Sequence, residues 1–193
     1  MSLVISLLVA DGGDFVARPV SHLDLTFHGL AGDRHAGAAR PSDARTPWHP
    51  RGTPIANTRH VSLVSIEECA LVARALGLPS LDPALLGANM VTGGLEGLTQ
   101  LPPGTRLQFP SGATIFVTEP NAPCRQPGRK IAAAFGDPAL EFAFPKQAMG
   151  LRGIVGLVER EGVIAAGDAI KVVQPTYRGE RATAKKRSTA AAG

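Results

Sequence analysis

Apolar and polar positions along this 193-residue chain change period several times, and each change marks an element. Leu3–Val9 is a continuous apolar run, short enough for a strand buried on both faces. Leu23–Phe27 alternates apolar and polar, the period of a half-buried strand. From His28 to Arg59 no period survives, and Gly, Pro, Arg, His and Asp dominate. Loops of that length inside a compact domain are functional or mobile. Val61–Val64 predicts a strand that leads straight into a helix. Ser65 is an N-cap with Glu68 three residues on, Ile66, Cys69, Ala70, Ala73 and Leu76 share one face, and Gly77 ends it. A shorter helix is expected from Asp82 and Pro83 to Gly87. Thr105–Phe109 and Ala113–Thr118 predict a hairpin across Pro110-Ser111-Gly112. Lys130–Phe135, stopped by Gly136, predicts another short helix. Ile154–Val158 and Val163–Ala165 predict a second hairpin through Glu161-Gly162, and Ala169–Val173 a last strand. Strands outnumber helices and short turns join them. The expected fold is mainly β: a closed or partly open, mixed or antiparallel β-barrel with a few short helices.

Composition adds Gly 22 and Pro 16, which favour many tight turns over long helices. The net charge of +4 suggests nucleic acid until it is located. Arg178, Arg181, Lys185, Lys186 and Arg187 face only Glu180 in the last stretch, so residues 1–175 are neutral. The division expected is a domain over 1–175 and a basic, solvated, disordered tail over 176–193, with nucleic acid an unlikely partner. No apolar run approaches the ~18 residues of a membrane span, and the first residues lack the marks of a secretory signal. With two cysteines and no disulfide framework, a cytoplasmic location and no membrane partner are expected.

The candidate chemistry centres on Cys124, in Glu119-Pro120-Asn121-Ala122-Pro123-Cys124-Arg125-Gln126-Pro127-Gly128-Arg129-Lys130. Prolines stiffen this loop, and nearby cations favour a thiolate, which can be a nucleophile, a sulfur carrier or a soft metal ligand. The alternative is a small buried hydrophobe. Cys69, on the apolar helix face, is expected in the core against Val64. Gly29 to Gly37 brackets Asp33, Arg34 and His35, either a presenting loop or a surface turn. Arg34, Arg59, Asn89, Arg125 and Arg152 could line an anion pocket, because guanidinium binds phosphate through paired hydrogen bonds. The histidine spacing does not suggest zinc, and no dinucleotide, P-loop or nucleophile-elbow motif is present.

In order, these pieces resemble a MOSC domain, the module named after the C-terminal part of molybdenum cofactor sulfurases. The likeness runs through Gly32-Asp33-Arg34-His35, Arg59 to Glu68, Leu86 to Val91, Leu101 to Thr105, Asn121-Ala122-Pro123-Cys124, Gly153 to Gly156, Gly162 and Gly167-Asp168. It implies a β-barrel that binds the molybdenum cofactor, a phosphate-bearing molybdopterin. Cys124 would then be the catalytic residue and the metal ligand, or would carry sulfur. Asp33, Arg34, His35, Arg59, Asn89, Arg125 and Arg152 would hold the cofactor. Many relatives carry Arg two residues before the matching Asn, where this chain has Gly87. Pyridoxal phosphate enters only by association with the full sulfurases, whose lyase domain has no room here. The resemblance implies a reductase component acting on N-hydroxylated small-molecule substrates with a separate electron-donor protein. The alternatives are a sulfur carrier holding a persulfide on Cys124, and a small non-enzymatic binding module.

Overall fold

The computed structural model describes residues 1–176, so the expected tail, apart from Thr176, lies outside the described residues. In chain order the strands are β1 (Leu3–Val9), β2 (Arg18–Val20), β3 (His22–Thr26), β4 (Gly29–Leu30), β5 (Ala39–Pro41), β6 (Pro54–Ala56) and β7 (Val61–Ser65). Helix α1 (Ile66–Ala75), β8 (Met90–Gly93), β9 (Arg106–Gln108), β10 (Thr114–Pro120), α2 (Arg125–Phe135) and α3 (Leu140–Gln147) follow. The described part ends with β11 (Ile154–Arg160), β12 (Gly162–Ala165) and β13 (Lys171–Val173). None of these helices is long and apolar enough to cross a membrane.

Eight strands form one mixed sheet in the order β13-β9-β10-β11-β7-β8-β1-β2, and β12-β3-β4 and β5-β6 form two smaller ones. The pairing is antiparallel except between β7 and β8, which run parallel because α1 makes the crossover. The ladder does not close into a complete barrel. Near its N-terminus β1 meets the approach to β13 through an isolated bridge, Leu3 to Ala169, and bonds such as Val4 N–H to Asp168 O at 2.9 Å. The predicted Ile154–Ala165 hairpin is also corrected. After Glu161, β12 leaves β11 and pairs with β3, Ile164 opposite Leu23, because that register buries Ile164 in the main core.

Two apolar cores explain the sequence pattern. One lies between the sheets around Leu7, Leu23, Leu63, Leu107, Ile115 and Ile154. The other lies under the helices around Leu8, Val64, Val72, Val91, Ile131 and Phe144. β1, β7 and β8 sit between them and feed both, β1 giving Val4, Leu7 and Val9 to the first core and Leu8 to the second while Ile5 stays 45% exposed. Ser65 caps α1 as expected, its Oγ accepting from Glu68 N–H at 3.0 Å. Glu68 does not return the bond. Its carboxylate accepts from Thr99 N–H at 2.9 Å and Thr99 Oγ1–H at 2.6 Å.

The predicted short helix begins five residues earlier than expected, at Arg125, because Pro127 falls in the first turn where its missing N–H costs nothing. Cys124 is therefore the N-cap of α2. Helix α3 has no counterpart in the periodicity, since Pro145 interrupts it. It packs on α2 where Gly128 leaves no side chain: a Cβ there would stand 2.5 Å from Glu141 O. The stretch from His28 to Arg59 is not one long loop. It contains β4 and the β5–β6 hairpin, whose polar sequence hides any period.

Candidate functional site

The segment after β3 is shaped by one buried carboxylate. Asp33 Oδ2 accepts from Ala10 N–H at 2.9 Å and from Asn89 Nδ2 at 2.8 Å. Its Oδ1 accepts from His35 N–H and meets His35 Nδ1, both at 2.8 Å. Burial alone would raise the Asp33 pKa. The bonds from His35 and Ala10 outweigh it and hold the carboxyl below the ordinary range. Asp33 is thus ionised and acceptor-only, so Nδ1 of His35 carries the hydrogen and Nε2 is left as the other ring atom. Asn89 completes the pin, its Oδ1 accepting from Ser62 N–H at 3.0 Å. Asn57 ties on the next segment, donating to His35 O at 2.7 Å and accepting from Arg59 N–H at 3.0 Å.

This framework walls a cleft of about 490 Å³, within the range of small-molecule sites. Arg34, Arg40, Arg45, Arg59 and Arg152 line it, together with His35 and Cys124. Apolar lining comes from Phe15, Pro41, Ala122, Pro127 and Val155. Asp33 and Asn89 do not line it; they hold the loop that does. Arg125, a predicted cofactor contact, does not line it either. Its guanidinium bonds Glu141 at 2.5 Å and stacks 4.3 Å from the Phe142 ring, and Arg129 reaches the same carboxylate at 3.0 Å. Lys130 pairs with Asp14 at 2.6 Å. The cations next to Cys124 in sequence are thus occupied elsewhere, and those beside it in the cleft come from distant segments.

Arg59 donates to Glu119 Oε1 at 2.5 Å and to Asn121 Oδ1 at 2.9 Å. Burial lowers its pKa, and Glu119 opposes that. Arg152 is the more exposed to cost. Only 5% of its surface meets solvent, Nη2 donates to Leu86 O at 2.5 Å, and Nη1 is shut from solvent with no acceptor among the described residues. Burial pulls its pKa down to about 10. A buried guanidinium nitrogen without an acceptor is a costly, unsatisfied donor, here in a residue that lines the cleft. Gly153 fixes the backbone beside it: φ is +84° and a Cβ would lie 1.9 Å from Leu63 O.

Cys124 is half-buried at the cleft, and its side chain makes no capping bond to α2, so the sulfur is free to meet a ligand at a helix N-terminus. Cys69 is in the core with Val64, and burial pushes its thiol up to about 12.

The MOSC domain profile matches residues 33–171. The chain belongs to the MOSC domain family. A relative from Bacillus subtilis (strain 168), YuaD, is 44% identical over 167 residues, covering 86% of this chain and 87% of its own, and is named as a candidate metal-sulfur cluster biosynthesis protein. The crystal structure of YuaD from Bacillus subtilis matches with a TM-score of 0.88 and 41% identity, over 91% of this chain and 98% of that one. YiiM from Geobacillus stearothermophilus matches with a TM-score of 0.62 and 16% identity, over 90% and 76% of the two chains, a likeness of fold alone. Of the candidate residues, the fold of this MOSC domain brings Arg34, His35, Arg59, Cys124 and Arg152 to one cleft. They missed Arg40, Arg45, Asn57 and Asn121. The density of arginine between His28 and Arg59, in a body that is otherwise neutral, was the available signal.

Proposed function

We propose that this MOSC domain binds the molybdenum cofactor in the arginine-lined cleft, with Cys124 as the sulfur ligand to the metal. The observation that carries the reading is the buried Nη1 of Arg152, which has no acceptor among the described residues. A phosphate group supplies such an acceptor with charge, and Arg59 and Arg34 line the same cleft. A thiol that makes no capping bond to the helix it starts suits a soft metal. Bound there, the cofactor would supply reductive removal of oxygen from N-hydroxylated compounds, with electrons from a separate protein. The chain's own part is to hold the phosphate, to present the Cys124 sulfur and to keep His35 oriented through Asp33.

Anaerobic titration of the purified protein with free cofactor tests this, with metal and pterin quantified separately. The wild type should retain both. Cys124→Ser should keep the pterin through the arginines and lose most of the metal. Equal molybdenum in the two proteins would sink the ligand assignment.

A second reading has its own support: the name of YuaD, the relative matched over most of both chains. Here Cys124 carries sulfur. Its thiolate attacks the outer sulfur of a donor persulfide, that S–S bond breaks, the donor leaves as thiolate, and Cys124 becomes the persulfide. Arg152 and Arg59 would balance the anionic sulfur. Mass spectrometry after incubation with a persulfide donor would then find one extra, reducible sulfur atom on Cys124.

A further inference from the structure

The bonds on Asp33 exceed what holding its loop requires. None of its side chain is exposed, and Ala10 N–H and Asn89 Nδ2 anchor it to the ends of β1 and β8. The backbone around it is tied as well. Arg34 N–H donates to Ala10 O at 2.8 Å, Ala36 N–H to Asp33 O at 3.1 Å, and Gly37 N–H to His28 O at 2.6 Å. These bonds fix the chain without the imidazole. The bond between His35 Nδ1 and Asp33 Oδ1, at 2.8 Å, fixes only the ring. Nε2 makes no hydrogen bond among the described residues; 36% of the side chain is exposed, and His35 lines the cleft.

The rest of the lining leaves that ring as the proton carrier. Arg34, Arg40, Arg45, Arg59 and Arg152 are guanidinium groups, which keep their protons; even Arg152, at about 10, is charged at neutral pH. Arg45 and Arg40 outweigh the partial burial of Asp43 and hold its carboxyl below the ordinary range, so it has no proton to give. The side chains of Asn57, Ser62, Asn121 and Gln126 do not titrate near neutral pH. The Cys124 sulfur is the metal ligand of the reading above. Neither His28, whose carbonyl holds Gly37, nor the buried His60 lines the cleft. Imidazole is the side chain that trades a proton between about pH 5 and 8, and among the described lining residues His35 alone carries one.

We propose that His35 is the proton donor of this cleft, passing a proton from Nε2 to the oxygen that leaves an N-hydroxylated substrate, with Asp33 as the residue that positions its ring. The inference rests on the reading of the cleft as the seat of reductive chemistry on such compounds. In that reaction R–NHOH takes up two electrons and two protons and becomes R–NH2 and water. The N–O bond breaks, the nitrogen is reduced and the oxygen leaves as water. The electrons come from the separate donor protein. One proton comes from His35 Nε2 and the other from solvent. The neutral ring keeps its hydrogen on Nδ1 against the Asp33 carboxylate, and Nε2 regains its proton from water.

The test uses the full chain, without cofactor for spectroscopy and loaded with molybdenum cofactor for turnover. In the cofactor-free wild type, long-range proton–nitrogen NMR on protein with labelled histidine should find the neutral His35 ring protonated at Nδ1, its signals assigned by their loss in His35→Asn. A neutral ring protonated at Nε2 overturns the proposal, because Nε2 then has no lone pair with which to regain a proton. Asparagine keeps an N–H for Asp33 and has no titrating nitrogen. With dithionite-reduced methyl viologen as electron source, benzhydroxamic acid as the N-hydroxylated probe and rates taken per bound molybdenum, kcat of His35→Asn should fall about 10²- to 10⁴-fold. The wild type should lose kcat as rising pH strips the proton from the ring, and the variant should lack that limb; a merely structural role lowers the rate and leaves the limb in place. Thermal unfolding shows whether the variant folds, and if it does not, the wild-type tautomer and limb still decide. A folded His35→Asn with the wild-type kcat and pH profile overturns the proposal and leaves the cofactor reading standing. A loaded wild type that does not reduce the probe removes that reading and the proton step with it.

Discussion

Replacing Arg152 by methionine should make the protein no less stable and a much poorer binder of anions. Arg152 is a buried cation whose Nη1 has no partner among the described residues. Its pKa, pulled down by burial to about 10, corresponds to a cost of about 3 kcal/mol for keeping the charge at neutral pH. Methionine has similar length and no charge, so that cost disappears. Against it stands the bond to Leu86 O, whose loss leaves a buried carbonyl unpaired at about 1–3 kcal/mol. The net expectation is a change of about 0 to +2 kcal/mol in stability, where each kcal/mol moves the transition temperature by about 2–4 °C in a domain of this size. Anion binding should move the other way. A charge-assisted bond of about 1.5–3 kcal/mol is lost, a fall of roughly 10- to 150-fold in affinity. Urea unfolding without ligand and phosphate or cofactor titration measure the two sides. A variant destabilised by more than about 1 kcal/mol without ligand would mean that Arg152 is already paired in the free protein, and the case for an anion at its Nη1 would fail.

The two cysteines should separate under alkylation. At about pH 8 iodoacetamide should label Cys124 in the folded protein and spare Cys69, whose thiol is buried and pushed up to about 12; in denaturant both should react. Comparable labelling of both in the native state would contradict the core position of Cys69. His60 predicts a pH dependence. Burial lowers its pKa below the ordinary 6.5, so the unfolded chain takes up the proton first. Its contribution is fully present above about pH 6.5 and is lost as the pH falls through the folded value, and His60→Gln should flatten that slope in denaturant midpoints. Asp33 acts in a lower window, its contribution being lost only as the pH falls below about 3.8. Gly153→Ala should cost about 4 kcal/mol or more, because its Cβ would stand 1.9 Å from Leu63 O at a φ of +84°. Wild-type melting of that variant would show that β7 and the Arg152 turn can move apart.

The chain's own periodicity determined the elements whose neighbours are local. Ser65 and Glu68 start α1 because capping acts over three residues, and Pro110-Ser111-Gly112 turns β9 into β10 because the turn residues suffice. The ordered motifs from Asp33 to Asp168 also marked the family, and they contained Arg34, His35, Arg59 and Cys124 of the cleft lining. Tertiary structure decided what depends on partners far away in sequence. β12 pairs with β3 rather than β11 because the buried face of Ile164 finds its core there. The β5–β6 hairpin is polar enough to hide, so Arg40 and Arg45 entered the cleft unannounced. Arg125 stands next to Cys124 in sequence, yet it turns to Glu141, because the first turn of α2 aims it at α3. Asp33 and Asn89 were legible as polar residues in motifs, but their role as the buried pin is set by contacts 56 residues apart. A short-range pattern fixes backbone conformation. Which side chains converge, and which guanidinium nitrogen is left without an acceptor, follows only from long-range packing.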